Sequence, residues 1–273
     1  MAHLRIGWER TMPDTIAVFR TPQPRIRRVP VDRCWAWLTA GWRDLVTAPG
    51  PALACGLVPV AAGWLVTGLL LWLDMPYLVL PLGAGFFFVG PFLAVGLYEI
   101  SRRRERNLVV DYETTFLAWR RNPEQLALMG ALLLFFHLAW MRLAQLLFAL
   151  FEWRTMPSWD RFADLVWFSS KSLSFTAVGV AIGAVLAAGA FAIGAFSIPF
   201  LLDRRESNLF EAIATSVAAV RLNLKPMILW ASLIVILTGI GMMPGLVGLA
   251  MTMPLVGLAT WHAYRDVVRF QDD

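Results

Sequence analysis

Three polar side chains within one apolar stretch are the residues of this sequence most able to do chemistry. Arg142 lies inside residues 126–151, with Gln145 one turn later and His137 further back. At 100° per residue, all three can line one broad polar face of a helix, and such an intramembrane face can meet an anionic ligand. The alternative is that Arg142 lies near the outer membrane boundary and extends its head to water. Residues 126–151 rise about 39 Å as a helix, which is more than the hydrocarbon core.

Glu99 and His262 are two further candidates for contacts with a ligand or partner. Glu99 precedes Arg102 and Arg103 by three and four residues, the spacing at which ordinary ion pairs form along one helix. His262 follows Trp261, so it belongs either to an aromatic belt at the membrane surface or to a titratable group at a membrane mouth.

The groups that would indicate an enzyme do not occur together in this sequence. It has no clustered carboxylates or histidines, no nucleophile beside a base and no nucleotide-binding loop. Cys34 and Cys55 stand alone, offer neither a disulfide framework nor a metal site, and are expected to be inert. We therefore predict a protein that is not an enzyme and has no catalytic residue, cofactor or metal.

The composition requires a membrane. Hydrophobic residues make up 58% of the 273 residues and charged residues 16%, and the mean hydropathy is +0.62. A soluble core of this size cannot hide so much apolar surface, so the surplus must face lipid. A bilayer core about 30 Å thick needs roughly 20 helical residues to cross. The sequence thus predicts an all-α polytopic transmembrane helix bundle with about six passes, near residues 52–73, 77–98, 126–151, 173–202, 227–240 and 245–262.

The positive charges indicate the orientation of these passes. Eight arginines lie in the first fifty residues and six in the loop after the second pass, whereas the turn at residues 74–76 and the turn near Gly241 carry none. The positive-inside rule then puts both termini in the cytoplasm. The net charge of +5 is accordingly a topology signal, and it favours anionic lipid headgroups over nucleic acid as the partner.

Three similar units follow one another along the chain. Each begins with a segment that ends in a basic residue near a proline, at residues 42–51, 119–123 and 220–226, and the second pass of each pair carries Pro91, Pro199 or Pro254. This spacing predicts three helical hairpins, each preceded by a cytoplasmic amphipathic interfacial helix. The alternative is that any cytoplasmic entry into a membrane favours arginine and proline.

The first interfacial helix shows the expected apolar stripe. Trp35, Leu38, Trp42 and Leu45 recur on one helical face. Such helices either lie in the headgroup plane or pack on the end of the bundle. Residues 1–30 are expected to form a disordered basic tail, residues 31–268 a single membrane domain and residues 269–273 a short second tail.

Small residues on the fourth pass predict close helix packing. Gly179 and Gly183 are four residues apart, so another helix can approach closely on that side. We expect this pass to be central in the bundle. Its partner is either another part of the chain or a second copy in a homo-oligomer.

Four stretches, at residues 41–45, 89–99, 197–204 and 259–266, have a distinctive spacing of motifs. Together they resemble a bacterial family of predicted integral membrane proteins, domain of unknown function 2189. The resemblance covers roughly residues 25–268 and implies a multi-pass protein of the bacterial inner membrane without an established activity. Some relatives carry a cytochrome oxidase label, but haem and copper ligation needs several intramembrane histidines, and only His137 and His262 lie near the membrane.

Two functions remain open at this point. The first is a non-catalytic membrane component that binds lipids or a protein partner through its interfacial helices. The second is a small permease or channel-like transporter with a polar path through Arg142, Gln145 and His137. A water-filled cavity that reaches Arg142 would favour the permease, and a dry, glycine-packed bundle would favour the binding component.

Overall fold

The computed structural model describes residues 24–151 and 172–270. These residues are helical apart from turns and two short strands, β1 (Arg25–Ile26) and β2 (Val268–Arg269). In chain order the helices are α1 (Arg33–Thr47), α2 (Pro49–Trp72), α3 (Val79–Leu93), α4 (Val95–Glu105), α5 (Tyr112–Phe116), α6 (Pro123–Phe151), α7 (Ser172–Gly194), α8 (Ser197–Asp203), α9 (Leu209–Leu222), α10 (Leu224–Met242) and α11 (Leu249–Val267), with short 3-10 helices at Pro76–Leu78 and Ala118–Arg121.

Five helical segments of the described residues are long and apolar enough to cross a membrane. Large apolar side chains stay exposed on them, for example Leu65 (75%) and Trp72 (78%), as expected for a surface that lipid covers. The predicted all-α, multi-pass membrane fold is therefore confirmed, while the count of six passes stays a prediction. The five segments are Pro49–Trp72, Pro76–Glu105, Pro123–Phe151, Leu173–Asp203 and Leu224–Met242.

The central helix of the bundle is α11, which corresponds to the pass predicted near residues 245–262. It is not among the five candidate spans. It packs against α1, α2, α4 and α10, and its residues Leu258, Trp261 and Tyr264 are fully buried. Most apolar side chains of α11 thus face protein, whereas those of the five spans largely face outward.

Our expectation that the fourth pass is central is wrong. Its helix α7 exposes Leu173 (82%) and Val185 (74%). Gly179 and Gly183 both face α6. A Cβ atom at Gly179 would lie 3.3 Å from Leu147, and one at Gly183 would lie 3.1 Å from Trp140. The helix that approaches these two glycines therefore belongs to the same chain.

Two glycines allow α11 to occupy the centre. A Cβ atom at Gly41 of α1 would lie 2.7 Å from the backbone nitrogen of Ala259, and one at Gly56 of α2 would collide with the carbonyl oxygen of Ala250 and with Pro254. No side chain fits at either position without moving backbone. The helices α1 and α2 thus lie directly against the main chain of α11.

A buried serine bridges the break between α7 and α8. The backbone N–H of Phe196 donates to Ser216 Oγ (3.1 Å), and the Ser216 hydroxyl donates to the carbonyl oxygen of Ala192 (2.8 Å). Pro199 lies in the first turn of α8, where a missing N–H costs nothing. After the break, the short helix α8 ends at Asp203, which contacts Arg106 and Tyr264.

Strands β1 and β2 pair antiparallel, with Arg25 opposite Arg269 and Ile26 opposite Val268. They lie at the same end of the bundle as α1, α5, α9 and the final turns of α4, α8 and α11, and we call this the charged end. The pairing corrects the predicted boundaries, because the folded domain extends beyond residues 31–268 on both sides. Residues 1–23 of the predicted tail lie outside the described residues.

Candidate functional site at the charged end

Buried carboxylates are the main polar feature of the charged end. The described residues include four such side chains, Asp44 of α1, Glu99 of α4, Asp203 of α8 and Asp266 of α11, each at most 7% exposed. A buried carboxylate is costly unless cations and hydrogen-bond donors surround it. The partners of each one therefore decide what the site can do.

Asp44 joins α1 to α4 and α11. Its Oδ2 atom accepts hydrogen bonds from Ser101 Oγ (2.5 Å) and His262 Nε2 (2.8 Å), and its Oδ1 atom accepts from Arg104 Nε (2.8 Å). Burial raises the pKa of Asp44, but the hydrogen bonds from His262 and Ser101 and the nearby charges outweigh burial and hold the pKa below its usual range. The carboxyl group is thus ionised at neutral pH.

Ser101, Asp44 and His262 are the residue types of a hydrolytic triad, but their arrangement is different. The serine hydroxyl donates to the aspartate and not to the histidine, and Ser101 is completely buried. A nucleophilic serine needs a base that accepts its proton and a path for substrate. The three residues therefore connect α1, α4 and α11 by hydrogen bonds, and Ser101 is not arranged as a nucleophile.

Glu99 is neutralised by arginines from its own helix and from a neighbouring segment. It forms a two-point contact with Arg102, at 2.7 Å for both nitrogens, and accepts from Arg103 Nε at 3.0 Å. Arg121 Nε lies 3.8 Å away, and burial together with the repulsion from Arg102 lowers the pKa of Arg121 to about 10. The predicted helical ion pairing of Glu99 is what the structure contains, so this carboxylate is not free to bind a ligand.

Asp203 connects three helices. Its Oδ1 atom accepts from Arg106 Nη2 (2.8 Å) beyond the end of α4, and its Oδ2 atom accepts from the Tyr264 hydroxyl (3.2 Å) of α11. Arg265 Nη1 of α11 lies 3.5 Å from the same oxygen. Asp203 therefore fixes the end of α8 against α4 and α11.

Asp266 closes the network near the strand pair. Its Oδ2 atom accepts from Arg33 Nε (2.7 Å) and from Trp37 Nε1 (3.0 Å), both on α1, and Arg27 forms an ion pair with its other oxygen. Asp44, Asp203 and Asp266 were missed by sequence reasoning. Each stands next to or near an arginine in the sequence, but the partners that matter come from other helices.

The three polar residues of α6 do not assemble into one site. Arg142 and Gln145 are exposed and hydrogen-bonded to each other at 3.3 Å. His137 is half-buried, and its Nδ1 atom lies 2.9 Å from the carbonyl oxygen of Gly85, so it links α6 to α3. Arg142 is about 28 Å along α6 from Pro123, close to the thickness of a hydrocarbon core.

The described residues provide little for metal or thiol chemistry. No group of three or more histidine, cysteine, aspartate or glutamate side chains among them is placed to hold a metal ion. Cys34 is completely buried and its thiol donates to the carbonyl oxygen of Pro226 at 3.4 Å. Burial raises the pKa of Cys34 to about 11, so it stays a thiol at neutral pH.

Residues 79–203 match the family model for predicted integral membrane proteins called DUF2189. The resemblance noted from the sequence is confirmed over these residues. The DUF2189 match runs from the start of α3 to the end of α8, so it contains Glu99 and Asp203 but neither Asp44 nor Asp266. No curated protein and no solved structure matches the sequence.

Aromatic side chains stay exposed on the short helices of the charged end. On α1 they are Trp35 (57%) and Trp42 (47%), and on α9 it is Phe210 (82%). The segment between α4 and α6 exposes a similar set, Tyr112, Phe116 and Trp119. Arg120 lies 5.6 Å from the Trp119 ring, so cation and aromatic surface occur together. We call these three exposed sets the aromatic faces.

Proposed function

We propose that this chain is a non-catalytic, multi-pass protein of the bacterial inner membrane that binds anionic lipids through its cytoplasmic face. The observation that carries the proposal is that two kinds of side chain at the charged end differ in whether they are available to a ligand. The four buried carboxylates of the described residues are each held by cations and donors of the same chain, whereas the aromatic faces are exposed. An enzyme needs available polar groups, and a lipid-binding surface needs exposed aromatic and basic ones.

The topology we propose has six passes with both ends of the domain in the cytoplasm. Pairing of β1 with β2 brings the ends of the domain to one side, which requires an even number of crossings. Five candidate spans lie between the strands, and α11 supplies the sixth crossing. The concentration of arginine at the charged end supports a cytoplasmic position for it.

We infer that the three units are copies of one repeat that closes into a ring. In chain order the units comprise residues 33–105, 112–203 and 209–267. The short helix of each unit packs on the second pass of the unit before it: α5 on α4, α9 on α7 and α8, and α1 on α11. Two asparagines link neighbouring units in the same cyclic order. Asn122 of the second unit donates to the carbonyl oxygen of Ser207, just before the third unit (3.2 Å), and Asn223 of the third unit donates to that of Arg27, just before the first (3.0 Å). Such cyclic contacts favour duplication over coincidence.

The aromatic faces support lipid as the partner. Tryptophan and tyrosine prefer the headgroup region because their rings are apolar and their N–H or O–H groups are polar. Exposed arginines accompany them, as Arg43 accompanies Trp42. The three short helices bury their opposite sides in the bundle, with Trp37 and Leu45 on α1 as an example. Each helix can thus lie on the membrane while it holds the bundle.

The experiment that tests this function is native mass spectrometry of the full chain extracted in discs of its own membrane. We expect anionic phospholipids in excess over their share of that membrane. The double variant Trp42→Glu/Phe210→Glu should lower the excess toward the bulk composition, because it puts negative charge on two aromatic faces. The matched variant Trp42→Leu/Phe210→Leu keeps an apolar surface and should retain more of the lipid.

Two other outcomes would overturn the proposal. A protein subunit bound in fixed stoichiometry without lipid enrichment would make the chain a component of an assembly. A soluble anion that is bound by the wild type and lost in Arg142→Ala would favour the permease. The exposed position of Arg142 and its bond to Gln145 give no support to the second outcome.

A further inference from the structure

A basic groove lies at the charged end beside the start of α10. Its volume is about 390 Å³, and its walls are the segment that follows β1 and the junction of α9 and α10. Its cations are Arg28, Arg221 and Lys225, and its lining contains no carboxylate. All three are exposed, and none makes an ion pair with another described residue. The groove is therefore positively charged and without a protein counter-ion among the described residues.

The groove differs in this respect from the rest of the charged end. Arg102 and Arg104 are examples of arginines held by buried carboxylates at 2.7–2.8 Å. Such arginines have their charge already balanced and act in the structure of the bundle. The three groove cations have no such role, and their common position makes an anion their natural partner.

Asn223 holds the two walls of the groove together. The backbone N–H of Val29 donates to Asn223 Oδ1 (2.9 Å), and Asn223 Nδ2 donates to the carbonyl oxygen of Arg27 (3.0 Å). Because this side chain is engaged, Asn223 does not cap α10, and the first turn of that helix has no side-chain acceptor. The uncapped N–H groups at Leu224 and Lys225 add partial positive charge to the lining.

The position of the groove points to a lipid. The candidate span formed by α10 begins at Leu224, which lines the groove, so the groove lies at one end of that span. From the groove along α10, the side chains of Leu224 (56%), Ile228 (65%) and Val235 (53%) are exposed, and they lie within about 40° of one another around the helix. An anionic head and an apolar chain are thus both accommodated, one after the other, along α10.

We propose that this groove binds the phosphate headgroup of an anionic phospholipid, with an acyl chain along the stripe of Leu224, Ile228 and Val235. Arg221 and Lys225 bind the phosphate oxygens, and Arg28 closes the opposite wall. A groove of this volume is within the range of small-ligand sites. This assignment rests on the proposed lipid-binding function and names one site for it.

The test compares phosphatidylglycerol binding to the wild type and to variants of the full chain in detergent, measured by native mass spectrometry as a function of lipid concentration. Arg221→Gln/Lys225→Gln removes two groove cations and should weaken binding about 30-fold. The matched control Arg25→Gln/Arg269→Gln removes two exposed cations from the strand pair, and it should bind as the wild type does. Thermal unfolding of each form verifies that it is folded. If Arg221→Gln/Lys225→Gln does not fold, the charge-conserving variant Lys225→Arg is measured in its place, and it should retain binding.

The results separate the groove from the aromatic faces. Equal weakening in both double variants, or wild-type binding by Arg221→Gln/Lys225→Gln, would overturn the groove assignment while lipid enrichment on the aromatic faces could still stand. Equal binding of phosphatidylcholine would overturn recognition of an anionic headgroup. Displacement by inorganic phosphate at concentrations equal to those of the lipid would show that the groove takes free phosphate and not a lipid.

Discussion

Replacement of Asp44 by alanine is the most direct test of the buried network. The change leaves the completely buried Ser101 hydroxyl without its acceptor, and it removes the carboxylate that holds Arg104 and His262. Loss of one partner from a buried ion pair costs about 3–5 kcal/mol. The side chains of Arg104 and His262 are 29% and 28% exposed, so water recovers part of this loss. We therefore expect a decrease of about 3 kcal/mol in the free energy of unfolding.

The assay is equilibrium unfolding in mixed detergent micelles, followed by tryptophan fluorescence. The matched control is Asp32→Ala at the start of α1, because Asp32 is exposed and its side chain does not cap the helix. That variant should change the free energy of unfolding by no more than about 0.5 kcal/mol. A loss below about 1 kcal/mol for Asp44→Ala, or one equal to that of the control, would refute the reasoning.

Two further predictions concern pH and packing. Because the folded state lowers the pKa of Asp44, its carboxylate stabilises the fold fully above the unfolded pKa of about 3.9 and loses this contribution as pH falls through the folded pKa. The stabilities of wild type and Asp44→Asn should converge in acid, and a gap that stays constant from pH 7 to pH 3 would contradict this. Gly56→Ala should lower the free energy of unfolding by about 1–3 kcal/mol, because the added methyl group collides with α11 at Ala250. The control Gly68→Ala has nothing within 4 Å of its Cβ position, so it should be neutral or stabilising in the same unfolding assay.

Much of the membrane fold could be predicted because hydropathy and helix length are local properties. The passes predicted at residues 52–73 and 126–151 correspond to Pro49–Trp72 and Pro123–Phe151. The role of α11 could not be predicted in this way. An apolar helix buried in protein and one exposed to lipid have similar composition, so only packing distinguishes them.

In the candidate site, contacts within one helix could be predicted from the sequence and contacts between distant helices could not. The pairing of Glu99 with Arg102 and Arg103 follows from helical spacing, so the sequence indicates it. The contact between Asp44 and His262 joins positions 218 residues apart, and no local pattern encodes it. For His137, helical spacing suggested a contact that the structure does not contain. Its position allowed a shared face with Arg142, but the His137 ring instead contacts the carbonyl oxygen of Gly85 on α3.

The stripe predicted on α1 was partly misassigned for a similar reason. Its four members separate, because Trp35 and Trp42 are exposed while Leu45 is buried. This helix has apolar residues on two faces, one against the bundle and one outward. A single stripe drawn through both faces cannot separate them, since helical periodicity gives the angle of a residue but not the neighbour it meets.

The packing of α1 on α11 sets the order in which the bundle can mature during synthesis. The buried face of α1, with Trp37, Asp44 and Leu45, has its main partner about 200 residues later in the chain. At roughly 5–20 residues per second, the ribosome needs on the order of ten to forty seconds to supply that partner. During this interval the Trp37 indole lacks its acceptor Asp266 on α11, whereas Asp44 already has Ser101 and Arg104 of α4 as partners. Chains that stop before α11 therefore lack the helix that covers this face of α1.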